Sequence, residues 1–412
     1  MRQALCTLAV AVAGLAGTTA APPPTCKAAG PHSVPFSTTE VSFERPATDT
    51  AAAFKLAGSL SVPRSTEDSQ ERFPAVVFFS GTSLQDRNGT QGNIDIGTHE
   101  LLDVLASSGN VVLRWDDRGA GQSEVPVDTP WEEVGFHDFV GDGRAALDYL
   151  RSREEVDPKR IFLIGHSEGG ITAALLANES STEVGGIVLM AASGRNFFDL
   201  TLEQTKRQVA GRSEESVEAH MALQREIQTA VKEKREPDWG VVGEDWEELV
   251  HLVWETKVLP IKKWWYEHFH LDVDGLYASL KAPILIVNGK GDFQTDWYKD
   301  GRKIAAAVVN SGLSHDITVR DFDDLDHLFK PCGGRKCTRE MYTQDRRVDP
   351  PFISAVTEWI STRAENKDSI VRSVGKGEEG DVGVGTAEEL DQAGVSVSGE
   401  ASQAEAKGLR GT

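Results

Sequence analysis

Residues 161–177 read IFLIGHSEGGITAALLA, and this stretch decides the fold of the chain. The apolar run at 161–164 predicts a buried strand, and the run at 171–177 is typical of a helix. Between them, residues 165–169 match G-x-S-x-G, the sharp strand-to-helix turn called a nucleophile elbow, and a further glycine follows at 170. Glycines on both sides of Ser167 permit such a turn. The pattern predicts an exposed serine hydroxyl, although an ordinary glycine-rich turn would read the same way.

Apolar strand-like runs alternate with helical patterns on both sides of this turn. The strand-like runs are 75–79, 111–115, 161–164, 186–190, 283–287 and 317–319, and the helical runs are 99–107, 137–151, 171–178, 299–309 and 351–363. Short apolar strands that alternate with helices predict an α/β fold with a mostly parallel central sheet and helices on both faces. Two earlier runs, 41–43 and 54–62, are expected to form an antiparallel edge.

The alternation is interrupted between residues 195 and 281, where we expect an inserted helical cap. This segment is rich in Glu, Lys, Gln and Leu and holds five of the nine tryptophans, namely Trp239, Trp246, Trp254, Trp264 and Trp265. Apolar side chains at 246, 249, 250, 253 and 254 recur at helical spacing, which predicts one buried face. They either pack the cap on the core or line an acyl or aromatic pocket.

The two ends of the chain differ from its middle in composition. Residues 1–20 have a positive start, an apolar run and a small-residue cleavage point near Ala20, which together are typical of a secretory signal peptide. Residues 21–38 form a Pro-rich leader, and residues 364–412 lack aromatic side chains, which predicts a disordered acidic tail. The core is then expected in two parts, 39–194 and 282–363, around the cap at 195–281. We therefore expect a secreted, periplasmic or extracellular protein.

Length and charge restrict the classes of partner. The chain has 412 residues, is 39% hydrophobic and carries a formal net charge of -21. It can bury a large core, and its charge disfavours nucleic acids and anionic membranes, which are polyanions themselves. No segment after residue 20 approaches the length of a membrane span, so stable membrane insertion is not expected. The expected partner is a small ester or a short peptide-like substrate, and the composition specifies no oligomeric state.

Removal of the signal peptide would leave three of the four cysteines, Cys26, Cys332 and Cys337. The last two are spaced to close a short disulfide loop in an oxidising compartment. Zinc is the weaker interpretation, because neither a second cysteine pair nor a histidine cluster completes four ligands. Asn88 and Asn178 begin N-x-[ST] sequons, which are glycosylation sites in a eukaryotic host.

A serine at such an elbow needs a histidine and an acid, which follow it in the order acid, then histidine, after late strands of the sheet. The run at 283–287 leads into Asp292, and the run at 317–319 leads into the loop that carries His327. We predict Ser167 as nucleophile, His327 as general base and then acid, and Asp292 as the carboxylate that orients the imidazole. Asp324 and Asp326 are rivals for the acid, but we interpret them as a solvated acidic loop.

Two backbone N–H groups are also needed to stabilise the oxyanion of the tetrahedral intermediate. The residue after the serine, Glu168, supplies one, and the loop after the strand at 75–79 supplies the other. Thr82 is the candidate in that loop, with Ser83 behind it, and Gly81 lets the backbone approach closely. No cofactor or metal is expected.

Five blocks of sequence occur in a recognisable order. They are SG at 80–81 with QDR at 85–87, DRGAGQS at 117–123, GHSEGG at 165–170, NG at 288–289 with DFQ at 292–294, and DHLF at 326–329. This order resembles the bacterial-type serine esterases of the α/β-hydrolase superfamily, close to the prolyl-oligopeptidase and serine-aminopeptidase-like branch. The resemblance implies hydrolysis of carboxylic esters through an acyl-serine intermediate, without a cofactor. The chain departs from the family at Asp326, where Asn is common, and residues 332–337 look like a local addition.

The favoured hypothesis is thus a secreted carboxylesterase. A serine peptidase or amidase with the same triad is the alternative, and Glu244, Asp245, Glu247 and Glu248 of the cap would then hold the amine of the substrate. Acids at the start of a helix also stabilise the helix itself, which is a simpler explanation for them. A third hypothesis is a catalytically silent hydrolase fold used as a binding module, which we disfavour because every triad position is filled. The DRG sequence at 117–119 is expected to shape the loop after its strand.

Overall fold

The structure is a computed structural model that describes residues 34–49, 51–64, 72–126, 129–179, 183–242 and 251–365. The predicted signal peptide, most of the leader, the acidic cap residues 244–248 and nearly all of the predicted tail lie outside these ranges, as does Cys26.

The described part of the chain is built around an eight-stranded sheet with the strand order β1-β2-β6-β3-β7-β8-β9-β10. The strands are β1 (Phe36–Arg45), β2 (Phe54–Pro63), β3 (Phe73–Phe79), β6 (Val111–Trp115), β7 (Val156–His166), β8 (Gly186–Met190), β9 (Ile284–Gly289) and β10 (Ile317–Phe322), while β4 (Thr90–Gln91) and β5 (Ile94–Asp95) form a separate small hairpin. Strand β2 is antiparallel to β1 and β6, and the remaining neighbours are parallel. The predicted antiparallel edge and mostly parallel sheet are therefore confirmed.

Helices follow most of the strands. They are α1 (Thr98–Ser107), α2 (Phe136–Arg151), α3 (Glu168–Asn178), α4 (Phe197–Gln208), α5 (Glu214–Glu233), α6 (Lys262–His270), α7 (Val273–Ala278), α8 (Arg302–Ser311) and α9 (Pro350–Glu365). Short 3-10 turns occur at Trp131–Glu133, Trp239–Val242, Leu259–Ile261 and Arg339–Thr343, and π turns at Trp254–Val258 and Trp297–Gly301. Within the described ranges, no helix has both the length and the apolarity that crossing a bilayer requires.

The alternation of side chains along each strand divides the interior into two cores, one on each face of the sheet. In β3, Val77 and Phe79 pack on the face covered by α2, α3 and α8, whereas Val76 and Phe78 pack on the face covered by α1 and α9. Successive side chains of a strand point to opposite faces, so a run that is apolar throughout must be covered on both. Each fully buried Val, Leu, Ile or Phe stabilises the fold by roughly 1.5–3 kcal/mol. This two-sided burial confirms the predicted α/β class.

Two boundaries differ from the prediction. Strand β1 begins at Phe36, so residues 36–38 of the predicted leader belong to the sheet, where Phe36 pairs with Pro63. At the other end, α9 runs to Glu365, two residues beyond the predicted end of the core at 363. Phe36 and Ala364 both pack against the core on the face of the sheet that α1 and α9 cover.

Residues 195–281 lie between β8 and β9 and contribute helices α4 to α7, with no strand in the part described. Aromatic rings join this segment to itself and to the core: Phe197 lies 5.2 Å from Trp264 between ring centroids, and Phe136 of α2 lies 4.3 Å from His268. Trp254 is 2% exposed, as its place on the predicted apolar face requires. The other predicted members of that face at 246, 249 and 250 lie outside the described residues.

Candidate active site

Ser167 lies between the end of β7 and the beginning of α3, at the carboxyl edge of the sheet. Its φ of 55° and ψ of -118° place a non-glycine residue in a conformation that costs free energy. A Cβ on Gly169 would overlap the carbonyl oxygens of Phe79 and Ser80, and a Cβ on Gly165 would overlap the backbone of Gly169. Glycine is therefore required at both positions, because neighbouring backbone atoms lie too close for a Cβ. The strained backbone at Ser167 forms the sharp turn that the sequence predicts.

Replacement of Gly169 by alanine is expected to lower the free energy of unfolding by about 3 kcal/mol or more, because the added methyl group meets backbone atoms that cannot rotate away. Urea unfolding of the purified variant measures the loss. Gly240→Ala is the matched control, since its Cβ would lie 3.4 Å from the nearest atom, at the end of the Asp238 side chain. Equal unfolding midpoints for the two variants would contradict the tight packing of the elbow.

The predicted histidine and acid are in direct contact. His327 lies on the loop after β10, and its Nδ1 is 2.6 Å from Oδ2 of Asp292, on the loop after β9. The carboxylate also accepts hydrogen bonds from Thr295 Oγ1 at 2.7 Å and from the backbone N–H of Gln294 at 2.7 Å. Burial alone would raise the pKa of Asp292, but His327 and these hydrogen bonds outweigh it and hold the pKa below its usual value. An ionised Asp292 fixes the proton on Nδ1 and leaves Nε2 free to accept one.

His166, next to the serine, anchors the loop of His327. Its Nε2 lies 2.8 Å from the backbone carbonyl oxygen of His327, and the two rings are 4.8 Å apart between centroids. Burial lowers the pKa of His166 to about 3, so the ring is neutral and donates from Nε2. Among the described residues, no hydrogen bond joins Ser167 Oγ to the ring of His327. Such bonds are often long without substrate and shorten in the substrate complex.

The predicted oxyanion residues also lie together. Thr82 Oγ1 donates a hydrogen bond to Glu168 Oε2 at 2.7 Å, and a Cβ on Gly81 would lie 3.2 Å from Ser167 Cβ. Glu168 is the first residue of α3, so its backbone N–H has no acceptor within the helix and lies at the positive end of the helix dipole. The loop at 80–85 thus contacts both Ser167, through Gly81, and the first residue of α3, through Thr82.

Asp117 positions that loop, a task that the sequence did not indicate. Its carboxylate accepts hydrogen bonds from Ser80 Oγ at 2.7 and 2.9 Å and from the backbone N–H of Gln85 at 2.8 Å. Burial raises the pKa of Asp117 to about 7. The sequence predicts that the DRG block shapes the loop after its own strand. The structure shows that its first residue holds both ends of the neighbouring loop, which carries Thr82.

The interpretation of Asp324 and Asp326 as a solvated acidic loop is wrong for Asp326. This residue is fully buried, accepts the backbone N–H groups of Leu328 and Lys330, and forms an ion pair with Arg346 at 2.6 Å. The Arg346 side chain comes from farther along the chain, and local sequence gave no sign of it. Asp324 accepts the backbone N–H groups of residues 333 and 334. Asp326 therefore shapes the turn that carries His327, whereas Asp324 holds the short loop between the two cysteines.

The predicted disulfide between Cys332 and Cys337 is confirmed. Both sulfurs are buried, and Cys337 lies so close to Gly291, the residue before Asp292, that a Cβ there would overlap its Sγ. The cross-link therefore packs against the loop of the predicted acid. Elsewhere in the described ranges, no three His, Cys, Asp or Glu side chains are grouped as a metal site would require.

Replacing both bridged cysteines by serine is expected to lower the free energy of unfolding by about 2 kcal/mol, the loop-closure entropy of a short cross-link. Urea unfolding measures the change, and the wild-type protein kept in reductant serves as the matched control because it loses the same constraint. Coincident unfolding curves for the oxidised protein and the double variant would show that the cross-link constrains nothing.

Comparison with known proteins gives three kinds of similarity. A family model described as "Serine aminopeptidase, S33" matches residues 96–227, which include Ser167 but neither Asp292 nor His327. Esterase EstD of Thermotoga maritima is 24% identical over 313 residues, which cover 74% of this chain and 65% of that relative. The matched region thus spans less than two thirds of the relative.

Solved structures with a similar chain course include an esterase of Pyrococcus furiosus, with 16% identity and a TM-score of 0.46 over 83% of this chain and 97% of that one. An acylaminoacyl peptidase of Pyrococcus horikoshii has 14% identity and a TM-score of 0.47 over 87% of this chain and 44% of that one. The fold assignment itself rests on the strand order and on the elbow described above.

Proposed function

We propose that the chain is an α/β-hydrolase and, more specifically, a serine hydrolase that cleaves carboxylic esters through an acyl-serine intermediate. The proposal depends above all on one observation. A hydrogen bond joins Asp292 to His327, and the loops that hold these two residues lie beside the strained turn at Ser167. This pair supports the proposal, because in such a mechanism a buried carboxylate orients an imidazole toward a serine hydroxyl.

In the proposed acylation step, Ser167 Oγ attacks the ester carbonyl carbon while His327 Nε2 takes the hydroxyl proton. Asp292 stabilises the imidazolium that forms, and the backbone N–H groups of Glu168 and Thr82 stabilise the oxyanion. The imidazolium then gives its proton to the departing alcohol, and an acyl group remains on Ser167. A water molecule, deprotonated by the same imidazole, hydrolyses this acyl-serine and regenerates the hydroxyl.

A peptidase or amidase with the same residues is the second candidate, and the serine aminopeptidase family match is the observation that favours it. A p-nitrophenyl ester series and aminoacyl anilides, offered to protein that begins at residue 21, separate the two. We expect ester turnover to exceed anilide turnover, with a fluorophosphonate label recovered on Ser167. Faster anilide turnover would replace the esterase proposal by the peptidase one. A folded protein that neither turns over ester nor takes the label would favour the binding module.

We also propose that the protein is exported. Residues 1–20 support this through their signal-peptide pattern, and the disulfide at Cys332–Cys337 supports it because such cross-links persist in oxidising compartments. Mass spectrometry of the protein expressed in a secreting host tests the proposal. A mature chain that begins near residue 21 is expected, and an intact Met1 on cytosolic protein would overturn it.

A further inference from the structure

The side chain of Glu168 is a feature that the proposed chemistry does not use. Only its backbone N–H belongs to the oxyanion hole, yet its carboxyl receives hydrogen bonds from two other segments. Thr82 Oγ1 donates to Oε2 at 2.7 Å, and Trp264 Nε1 of cap helix α6 donates to Oε1 at 3.2 Å. One carboxyl therefore connects the oxyanion loop, the start of α3 and the cap.

This carboxyl is held without a cation. Its side chain is 12% exposed, and the only basic group within 4 Å among the described residues is His268, whose Nε2 lies 3.8 Å from Oε2. His268 Nδ1 lies 3.0 Å from the backbone carbonyl oxygen of Trp264 and donates to it, so Nε2 presents a lone pair to the carboxyl. Burial lowers the pKa of His268 to about 4, which keeps the ring neutral.

Among the described residues, those that line the neighbouring cavity include no basic side chain. A cavity of about 60 Å³ adjoins Glu168, and its lining includes Trp264 and two further acids, Asp117 and Asp142. Asp142 is bound by Arg118, and Asp117 by Ser80. Burial raises the pKa of Glu168 to about 7. A buried carboxyl without a counter-charge costs folding free energy, so stability does not explain this side chain.

The two residues joined by the 2.7 Å hydrogen bond, Thr82 and Glu168, are the same two whose backbone N–H groups form the proposed oxyanion hole. An oxyanion hole works only when its donors are fixed at the place where charge develops in the transition state. A bond between the two side chains fixes the distance between the two backbone segments. The bond from Trp264 holds the cap against the same carboxyl.

We propose that the Glu168 side chain is a positioning group, which sets the spacing of the two oxyanion donors and couples that spacing to the docked cap. The inference rests on the proposed esterase function. In the proposed reaction, the side chains of Glu168 and Thr82 neither transfer a proton to the substrate nor form a bond with it. Their loss should therefore affect the transition state more than the bound ester, and so kcat more than KM.

The test compares Glu168→Ala, Thr82→Val and the double variant with the wild-type protein, using p-nitrophenyl acetate. Each single variant is expected to lose roughly 10- to 100-fold in kcat with KM nearly unchanged, somewhat less than loss of a whole oxyanion donor. The double variant should fall no further than the worse single one, because both changes remove the same bond. Thr82→Ser keeps the hydroxyl and is expected to recover most of the kcat that Thr82→Val loses.

Two controls make the result decisive. Thr357→Val removes a comparable hydroxyl from α9 on the opposite face of the sheet, where it donates to the Ile353 carbonyl, and should leave kcat unchanged. Urea unfolding of each variant excludes a loss of fold. Additive losses in the double variant, or full activity in both single variants, would overturn the inference while leaving the esterase proposal intact. A wild-type protein that neither hydrolyses the ester nor takes a fluorophosphonate label would overturn both.

Discussion

Ser167→Ala is expected to lower ester turnover by about 10⁴- to 10⁶-fold, the cost that removal of a triad nucleophile generally carries. In the proposed mechanism the hydroxyl oxygen of Ser167 forms the bond to the acyl group, so no neighbouring residue can take over its role. The strained φ of 55° at this residue places the side chain at the edge of the sheet beside the His327 loop. The same variant should take no fluorophosphonate label, which is measured by mass spectrometry of the tryptic peptides.

Ser279→Ala is the matched control for this loss. Its hydroxyl donates to the Gly275 carbonyl oxygen in cap helix α7, so its removal leaves the elbow untouched. The control should keep both label and turnover. Ester hydrolysis that persists in Ser167→Ala at the wild-type rate would show that the measured activity does not come from this site.

Asp292→Asn is expected to lower kcat by about 10³- to 10⁴-fold while the protein stays folded, because the amide no longer stabilises the imidazolium and does not hold the required tautomer. Asn is nearly the same size as Asp, and its single amide oxygen can still accept the backbone N–H groups of Gln294 and Thr295 that bind Oδ1, so the loop should keep its shape. The measurement is kcat at a pH near 8, with urea unfolding to establish the fold.

Asp324→Asn is the control, since this acid lies in the same loop as His327 but binds the backbone of residues 333 and 334. Its turnover should stay within a few-fold of the wild-type value. A larger loss in Asp324→Asn than in Asp292→Asn would exchange the two assignments, and with them the proposed path by which the imidazole is oriented.

Local sequence patterns were sufficient to predict much of the architecture. The alternation of apolar strands with helices was enough for the fold class, because strands that are apolar on both faces need cover on both, and the intervening helices provide it in a parallel sheet. The glycines of the elbow were also informative, since only glycine fits where the backbone at 165 and 169 meets neighbouring backbone. Ser167, Asp292 and His327 each follow a strand-like run, which predicts that all three lie at the carboxyl edge of a mostly parallel sheet.

Local sequence patterns could not predict which side chains from distant segments would meet. Asp326 looked solvated because its neighbours in sequence are acidic, and only the approach of Arg346 makes it a buried ion pair. Asp117 looked like part of its own loop, yet it holds Ser80 and Gln85 of another. In both cases the partner is fixed by how loops pack at the sheet edge.

The sequence by itself determined the sheet, the elbow and the order of the three predicted catalytic residues, because strand and turn propensities act over a few neighbouring positions. The tertiary structure alone decided which carboxylate meets His327, that His166 anchors the His327 loop, and that Glu168 joins the oxyanion loop to the cap. These contacts depend on side chains that lie far apart in sequence and meet only when the loops and the cap pack together. Hydrogen bonds and burial then set their charge states.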